Sequence, residues 1–141
     1  MLITHKFYSE LPKEAIEIRT EVFVDEQGFE EEFDKKDKEC LHLVMFCDGV
    51  PAAVGRIYTD EEKVYAAGRI AVRKQFRGHK LGAEIMRLLE EKARELGAER
   101  MWVSAQCRVR EFYEKSGYIA EGEVYLDQFC PHIHMEKTLN D

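Results

Sequence analysis

"VRKQFRGHKLGAEIM", Val72 to Met86, passes from an apolar strand end through a basic turn into an amphipathic helix. Arg73, Lys74, Arg77, His79 and Lys80 crowd this one junction in a chain whose formal net charge is −7. The first turn of a helix leaves backbone N–H groups unpaired and carries about half a positive charge. Gly78 and Gly82 let a ligand come close to that backbone. Arg77-Gly78-His79-Lys80-Leu81-Gly82 therefore has the chemistry of a phosphate cradle. The alternative is a turn whose basic side chains only face water. The spacing is neither that of a P-loop nor the G-x-G-x-x-G of dinucleotide folds.

Working outward, Leu81, Ile85, Leu88, Leu89, Ala93 and Leu96 share one face at a period of about 3.6 residues, which predicts a helix from Leu81 to Leu96 stopped by Gly97. Upstream, two β-rich runs, Cys40 to Cys47 and Val50 to Thr59, flank Asp48-Gly49, a hairpin signal. A third strand then ends near Val72. Before these come a strand from Leu2 to Tyr8 and a helix from Lys13 to Val24, entered through Ser9 and Pro12. Downstream, "RMWVSAQ" reads as a short buried strand and Arg108 to Ser116 as a helix closed by Gly117. A strand starting at Tyr118 and another from His132 to Leu139 complete the chain. The predicted order is β-α-β-β-β-α-β-α-β-β, an α/β chain of the α+β type whose mixed, mostly antiparallel sheet is flanked by helices.

The composition, 45 % apolar and 35 % charged over 141 residues, suits one domain spanning 1–141. No apolar run reaches the ~20 residues a membrane span needs, and the N-terminus lacks a signal-peptide pattern. A soluble, cytoplasmic protein is expected. Cys40, Cys47, Cys107 and Cys130 form no C-x-x-C pair and read as free thiols. Cys107 precedes a helix, where a nucleophilic thiol is conceivable, but a packed thiol is the expectation. Asp25 to Glu39 holds eight acidic and three basic residues. Such a run is either a solvated loop or an acidic rim that attracts a cationic substrate. The acidic balance argues against nucleic acid as a partner, and no membrane partner is expected. Cys130, His132 and His134 alternate along one strand face. They fall short of a full ligand set, so no metal is expected.

The segment from Ala71 to Gln106, with "FYEKSGY" from Phe112 to Tyr118, resembles the GNAT family of N-acetyltransferases. Arg77 and Gly82 match the ends of the family's [RQ]-x-x-G-x-[GA] core, while Lys80 occupies its usual middle glycine. "VFVDEQGF" (Val22 to Phe29), "SAQC" (Ser104 to Cys107) and "PHIHM" (Pro131 to Met135) resemble the small bacterial branch of ElaA- and YjcF-like members. The resemblance implies the GNAT fold and direct transfer of an acetyl group from acetyl-CoA to an amine, with no metal. The acceptor is expected to be small and, from the acidic run, cationic. A CoA-binding regulatory module without efficient catalysis is the alternative, and a homodimer is left open.

The same resemblance places CoA's pyrophosphate on the backbone from Arg77 to Ala83, including Gly78, Lys80 and Gly82. A residue at Lys80 can still donate its backbone N–H there if it has ordinary helical dihedrals. The pantetheine arm would run along Ile70 and Val72, with the Val72 N–H on the thioester oxygen and Gln106 on the facing strand beside Ser104. Tyr113 matches the phenol that protonates the departing sulfur. Glu26, His132 and an ordered water are the candidate bases, an imidazole being well suited to proton transfer near neutral pH.

Overall fold

A computed structural model describes residues 1–30 and 32–139. The elements are β1 (Ile3–Tyr8), α1 (Lys13–Arg19), β2 (Leu41–Cys47), β3 (Val50–Glu61), β4 (Val64–Val72), α2 (Leu81–Glu95), β5 (Arg100–Gln106), α3 (Arg110–Lys115), β6 (Ile119–Asp127) and β7 (Cys130–Thr138). Seven strands form one sheet in the order β1-β2-β3-β4-β5-β7-β6. Only β4 and β5 run parallel, joined by the α2 crossover, and the other neighbours are antiparallel. Element order and sheet type match the expectation.

Asp48 and Gly49 take positive φ values of 50° and 82°, the two-residue turn that suits the twist of β2 and β3. Two apolar layers sandwich the sheet. On one face Ile85, Met86 and Leu89 of α2 pack with Leu43, Ile57, Met101 and Met135. On the other, Ile18, Val22 and Phe23 pack against Val44, Val54 and Ala71. Leu96 lies past the last turn of α2 and is 48 % exposed rather than part of its stripe. Glu90, by contrast, is buried on α2, where its carboxylate accepts from Tyr118 Oη at 2.9 Å and Lys137 Nζ at 2.8 Å.

α2 sits close on β3 because residue 55 is glycine. A Cβ there would lie 2.7 Å from Ile85 Cγ2 and 3.0 Å from Leu89 Cδ1. Gly55→Ala is expected to cost about 1–3 kcal/mol by overpacking. Denaturant unfolding should show this as a lower midpoint at an unchanged slope.

The first helix departs from expectation. Its α-helical part ends at Arg19, and Thr20–Glu26 continues as a π-helix. β-Branched Thr20, Val22 and Val24 fit an α-helix poorly. The wider turn buries two neighbours, Val22 and Phe23, while Glu21 and Glu26 reach Arg73 and Arg77. Among the described residues no helix is long and apolar enough to cross a membrane.

Candidate active site

The site begins where two parallel strands part. β4 and β5 pair only over Val64–Ala67 and Arg100–Val103. Just beyond, Gly68 pairs with Arg56 and Ala71 with Val54, so Arg69 and Ile70 stand opposite Gly55 alone. This bulge, with Arg69 at φ 52°, bends the outer half of β4 away from β5. A cleft of about 520 Å³ opens between them, with Ile70 and Val72 on one lip and Ser104 and Gln106 on the other. The Arg73 N–H donates to the Ala52 carbonyl at 2.9 Å. Strand alternation therefore turns the Val72 amide toward the cleft, and its carbonyl accepts Arg77 Nε at 3.0 Å.

β4 runs straight into the basic turn. Gly78 takes φ 90°, and Lys80, the residue before α2, takes φ 60° and ψ 27° with no side-chain cap. Lys80 therefore does not have ordinary helical dihedrals: it holds the left-handed conformation that glycine adopts without strain. The lysine keeps the backbone path that a glycine would give, at some cost in strain. The Glu84 N–H donates to the Lys80 carbonyl at 3.2 Å, and the N–H groups of the turn before it have no intrahelical partners. They border a second hollow of about 250 Å³ lined by Gly78, Lys80, Gly82, Ala83 and Phe112.

The π-helix clasps this cleft from above. Glu26 binds Arg77 through both oxygens, at 2.6 and 2.8 Å. Its hydrogen bond with Arg77 holds the carboxyl below its ordinary range. Arg73 is held by Glu21 and by the Pro51 carbonyl. Two of the five basic side chains at the turn are thus committed to protein partners, leaving Lys74, His79 and Lys80 exposed. Gln27, at the end of the π-helix, accepts from Gln106 Nε2 at 2.9 Å, and Gln106 in turn accepts from Arg108 Nε at 2.8 Å. The glutamines of "VFVDEQGF" and "SAQC" are therefore hydrogen-bonded partners across the cleft mouth.

Tyr113 and His132 face the same cleft. Tyr113 is 9 % exposed, its ring braced by Phe112 and Tyr118, and burial pushes its phenol up to about 12. The His132 ring lies between Tyr125 (6.1 Å) and Phe29 (6.5 Å). His132 Nδ1 lies 2.9 Å from the Cys130 carbonyl, which can only accept. Nδ1 therefore carries the proton, and neutral His132 keeps its lone pair on Nε2. Ser104 Oγ and Tyr125 Oη form a hydroxyl pair at the lip.

Part of the acidic run is tied down rather than solvated. Glu32 and Asp37 are each 5 % exposed. Arg19 binds Glu32 at 2.6 Å and Asp37 at 2.7 Å, while Arg56 binds Asp37 at 2.7 Å and Asp34 at 2.8 Å. Arg69 completes the set through Glu32 at 3.1 Å and Asp34 at 3.3 Å. Three arginines balance Glu32, Asp34 and Asp37, while Asp25, Glu30 and Glu39 of the same run remain exposed. Glu31 of this run lies outside the described residues. Among the described residues, the triads that bring ligand atoms within 4.8 Å of one another are Asp37, Cys40, His42 and Glu121, His134, Glu136, not Cys130, His132, His134. All four cysteines are free, three of them buried and Cys107 half-buried.

Arg69 and Tyr125 had not been singled out in the sequence. The signal for Arg69 was Gly68-Arg69 inside a strand pattern, since a glycine there often marks a bulge.

Comparison with known proteins agrees with this geometry. Residues 8–139 match the acetyltransferase (GNAT) domain family. An uncharacterized N-acetyltransferase of Bacillus subtilis, YjcF, is 35 % identical over 128 residues, covering 89 % of this chain and 91 % of its own. Escherichia coli ElaA superposes with a TM-score of 0.86 at 26 % identity, over 96 % of this chain and 99 % of its own. An acyl-CoA N-acyltransferase from Pseudomonas aeruginosa gives a TM-score of 0.83 at 28 % identity, over 97 % and 99 %. With a parted pair of parallel strands leading into a glycine-bearing helix N-terminus, and with these relatives, the chain belongs to the GNAT family of acetyltransferases and is an acyltransferase.

Proposed function

We propose that the protein transfers an acetyl group from acetyl-CoA directly to an amine. The observation that carries this reading is that the cleft beside β4 and the hollow at the start of α2 share Val72 and Arg77 in their linings, so the open edge of β4 leads across one short turn to the unpaired N–H groups of that helix. An extended pantetheine arm can pair with such an edge as an added strand would. A pyrophosphate suits the helix terminus. Acetyl-CoA supplies an activated thioester carbon when bound.

Each residue then has a defined task. The backbone from Arg77 to Ala83 holds the pyrophosphate, while Glu26 fixes Arg77 over the turn rather than acting as the base. Ile70 and Val72 offer main-chain groups to the arm, and the Val72 N–H donates to the thioester oxygen as negative charge builds on it. Gln106 anchors the opposite lip. His132 Nε2 takes the proton that the amine gives up as its nitrogen bonds to the carbonyl carbon. Tyr113, still protonated across the working pH range, gives its proton to the sulfur as the C–S bond breaks. Amide and free thiol are the products; His132 releases its proton to solvent and Tyr113 regains one from solvent, so the enzyme is reset with no net change in protons.

Acetyl transfer to a panel of amines, followed by thiol release and by mass spectrometry of the acetylated product, tests the reading. Tyr113→Phe should lower kcat by about 10²-fold while acetyl-CoA affinity stays near wild type. Equal turnover by this variant would remove the phenol from the mechanism. Tight acetyl-CoA binding without turnover on any amine would favour a CoA-binding module instead.

A further inference from the structure

The polar groups of the cleft that remain uncommitted are mostly donors. Glu26 spends both oxygens on Arg77. Glu32 spends one on Arg19 and the other on Arg69. Arg69 uses Nε on Glu32 and Nη2 on Asp34, and among the described residues its Nη1 has no partner. Its side chain is 25 % exposed and lines the cleft. The Ser104–Tyr125 pair adds a second donor. One hydroxyl donates to the other, so the hydrogen of the accepting one stays free. Arg108, at the mouth, has only its Nε engaged among the described residues. Against these donors stands, among the described lining residues, one carboxylate outside an ion pair, the exposed Asp127.

The backbone singles out Arg69 within this set. It sits at φ 52° in the bulge that opens the cleft, a left-handed conformation that a long side chain adopts at a cost. Its bonds to Glu32 and Asp34 fix the guanidinium plane and leave one edge for a ligand. A planar guanidinium held this way suits a carboxylate better than a single point charge does.

Building on the acetyl-transfer reading, we propose that the acceptor is an amine that also carries a carboxylate, an amino-acid-like compound, and that Arg69 receives that carboxylate. The nitrogen then lies toward His132 and the carboxylate toward the bulge of β4.

The test compares glycine, β-alanine and 4-aminobutyrate with their carboxamides as acceptors, using wild type, Arg69→Met and Arg69→Lys. The carboxamide amines are less basic, so more of each is neutral at the assay pH and intrinsic reactivity favours them. The best carboxylate acceptor should nevertheless exceed its carboxamide in kcat/KM by roughly 10–100-fold, the range of one charge-assisted hydrogen bond. Arg69→Met should erase that gap through KM, leaving each carboxylate acceptor and its carboxamide with similar kcat/KM in the variant. Arg69→Lys, which keeps the charge without the fork, should retain part of it. Thermal melts identify any variant that fails to fold, and the wild-type comparison decides the point without them.

Titration of CoA-loaded protein with the N-acetyl amino acids separates the two levels of inference. Binding that Arg69→Met abolishes, with no amine acetylated, keeps the carboxylate site and discards acetyl transfer. Acetylation with no preference for the carboxylate in wild type, or a preference that survives Arg69→Met, overturns the carboxylate site.

Discussion

His132→Gln lowers kcat/KM for acetyl transfer by about 10²- to 10⁴-fold, the usual contribution of a positioned general base. Glutamine fills much of the same space but offers no basic nitrogen. The wild-type imidazole is set for the task by its other nitrogen. Nδ1 donates to the Cys130 carbonyl, so the neutral ring presents Nε2 to the cleft. Tyr125 and Phe29 hold the ring plane. The variant should bind acetyl-CoA normally, because the proposed cofactor contacts lie along β4 and the turn. Its residual activity should rise with pH as more of the amine loses its proton in solution. Unchanged turnover would assign proton removal to water.

The second large effect concerns the ion network under the cleft. Asp37→Ala is expected to lose about 3–5 kcal/mol, because it strips Arg19 and Arg56 of a shared partner in a buried setting. Burial alone would raise the Asp37 carboxyl, but hydrogen bonds from Arg19 and Arg56 and the charge of Arg19 outweigh it and hold the group at about 2. A folded value below the ordinary 3.8 means that the charged form favours the native state. That contribution, ~2 kcal/mol, is fully present above about pH 4 and drains away as pH falls toward 2. Urea unfolding between pH 6 and about 2.5 checks it: wild type should lose stability over that window more steeply than Asp37→Ala. Parallel pH curves for the two proteins would show that Asp37 is not stabilised by its arginines. Such a network, once built, is costly to break even where an apolar cluster would hold the fold equally well.

Local pattern accounts for what the sequence made legible. The α2 stripe, the Asp48-Gly49 turn and the strand ending at Val72 each depend on residues close together in the chain, and each was found where expected. Tyr113, His132, Gln106 and Val72 converge on one cleft as the family resemblance implied, since that fold brings the ends of β4, β5, α3 and β7 together.

What stayed hidden depends on partners distant in sequence. The run from Asp25 to Glu39 read as surplus negative charge, because Arg19, Arg56 and Arg69 come from α1, β3 and β4. Glu26 read as a free carboxylate until Arg77, fifty-one residues away, took both its oxygens. The π-helix depends on distant partners of Val22, Phe23, Glu21 and Glu26 as well as on its β-branched residues, and Lys80 holds its left-handed backbone without a glycine to announce it.

The claim on which everything else rests is that the β4 edge and the α2 terminus form one cofactor site. Calorimetric titration of acetyl-CoA into wild type, Gly82→Ala and Gly82→Asp tests it most directly. A Cβ at residue 82 would meet Phe112 at 3.3 Å, so the alanine variant measures that contact alone. The aspartate adds a negative charge where the pyrophosphate would sit. Binding by wild type that weakens modestly in Gly82→Ala and is abolished in Gly82→Asp is the predicted result. Equal binding by all three proteins, or none by wild type, would contradict it.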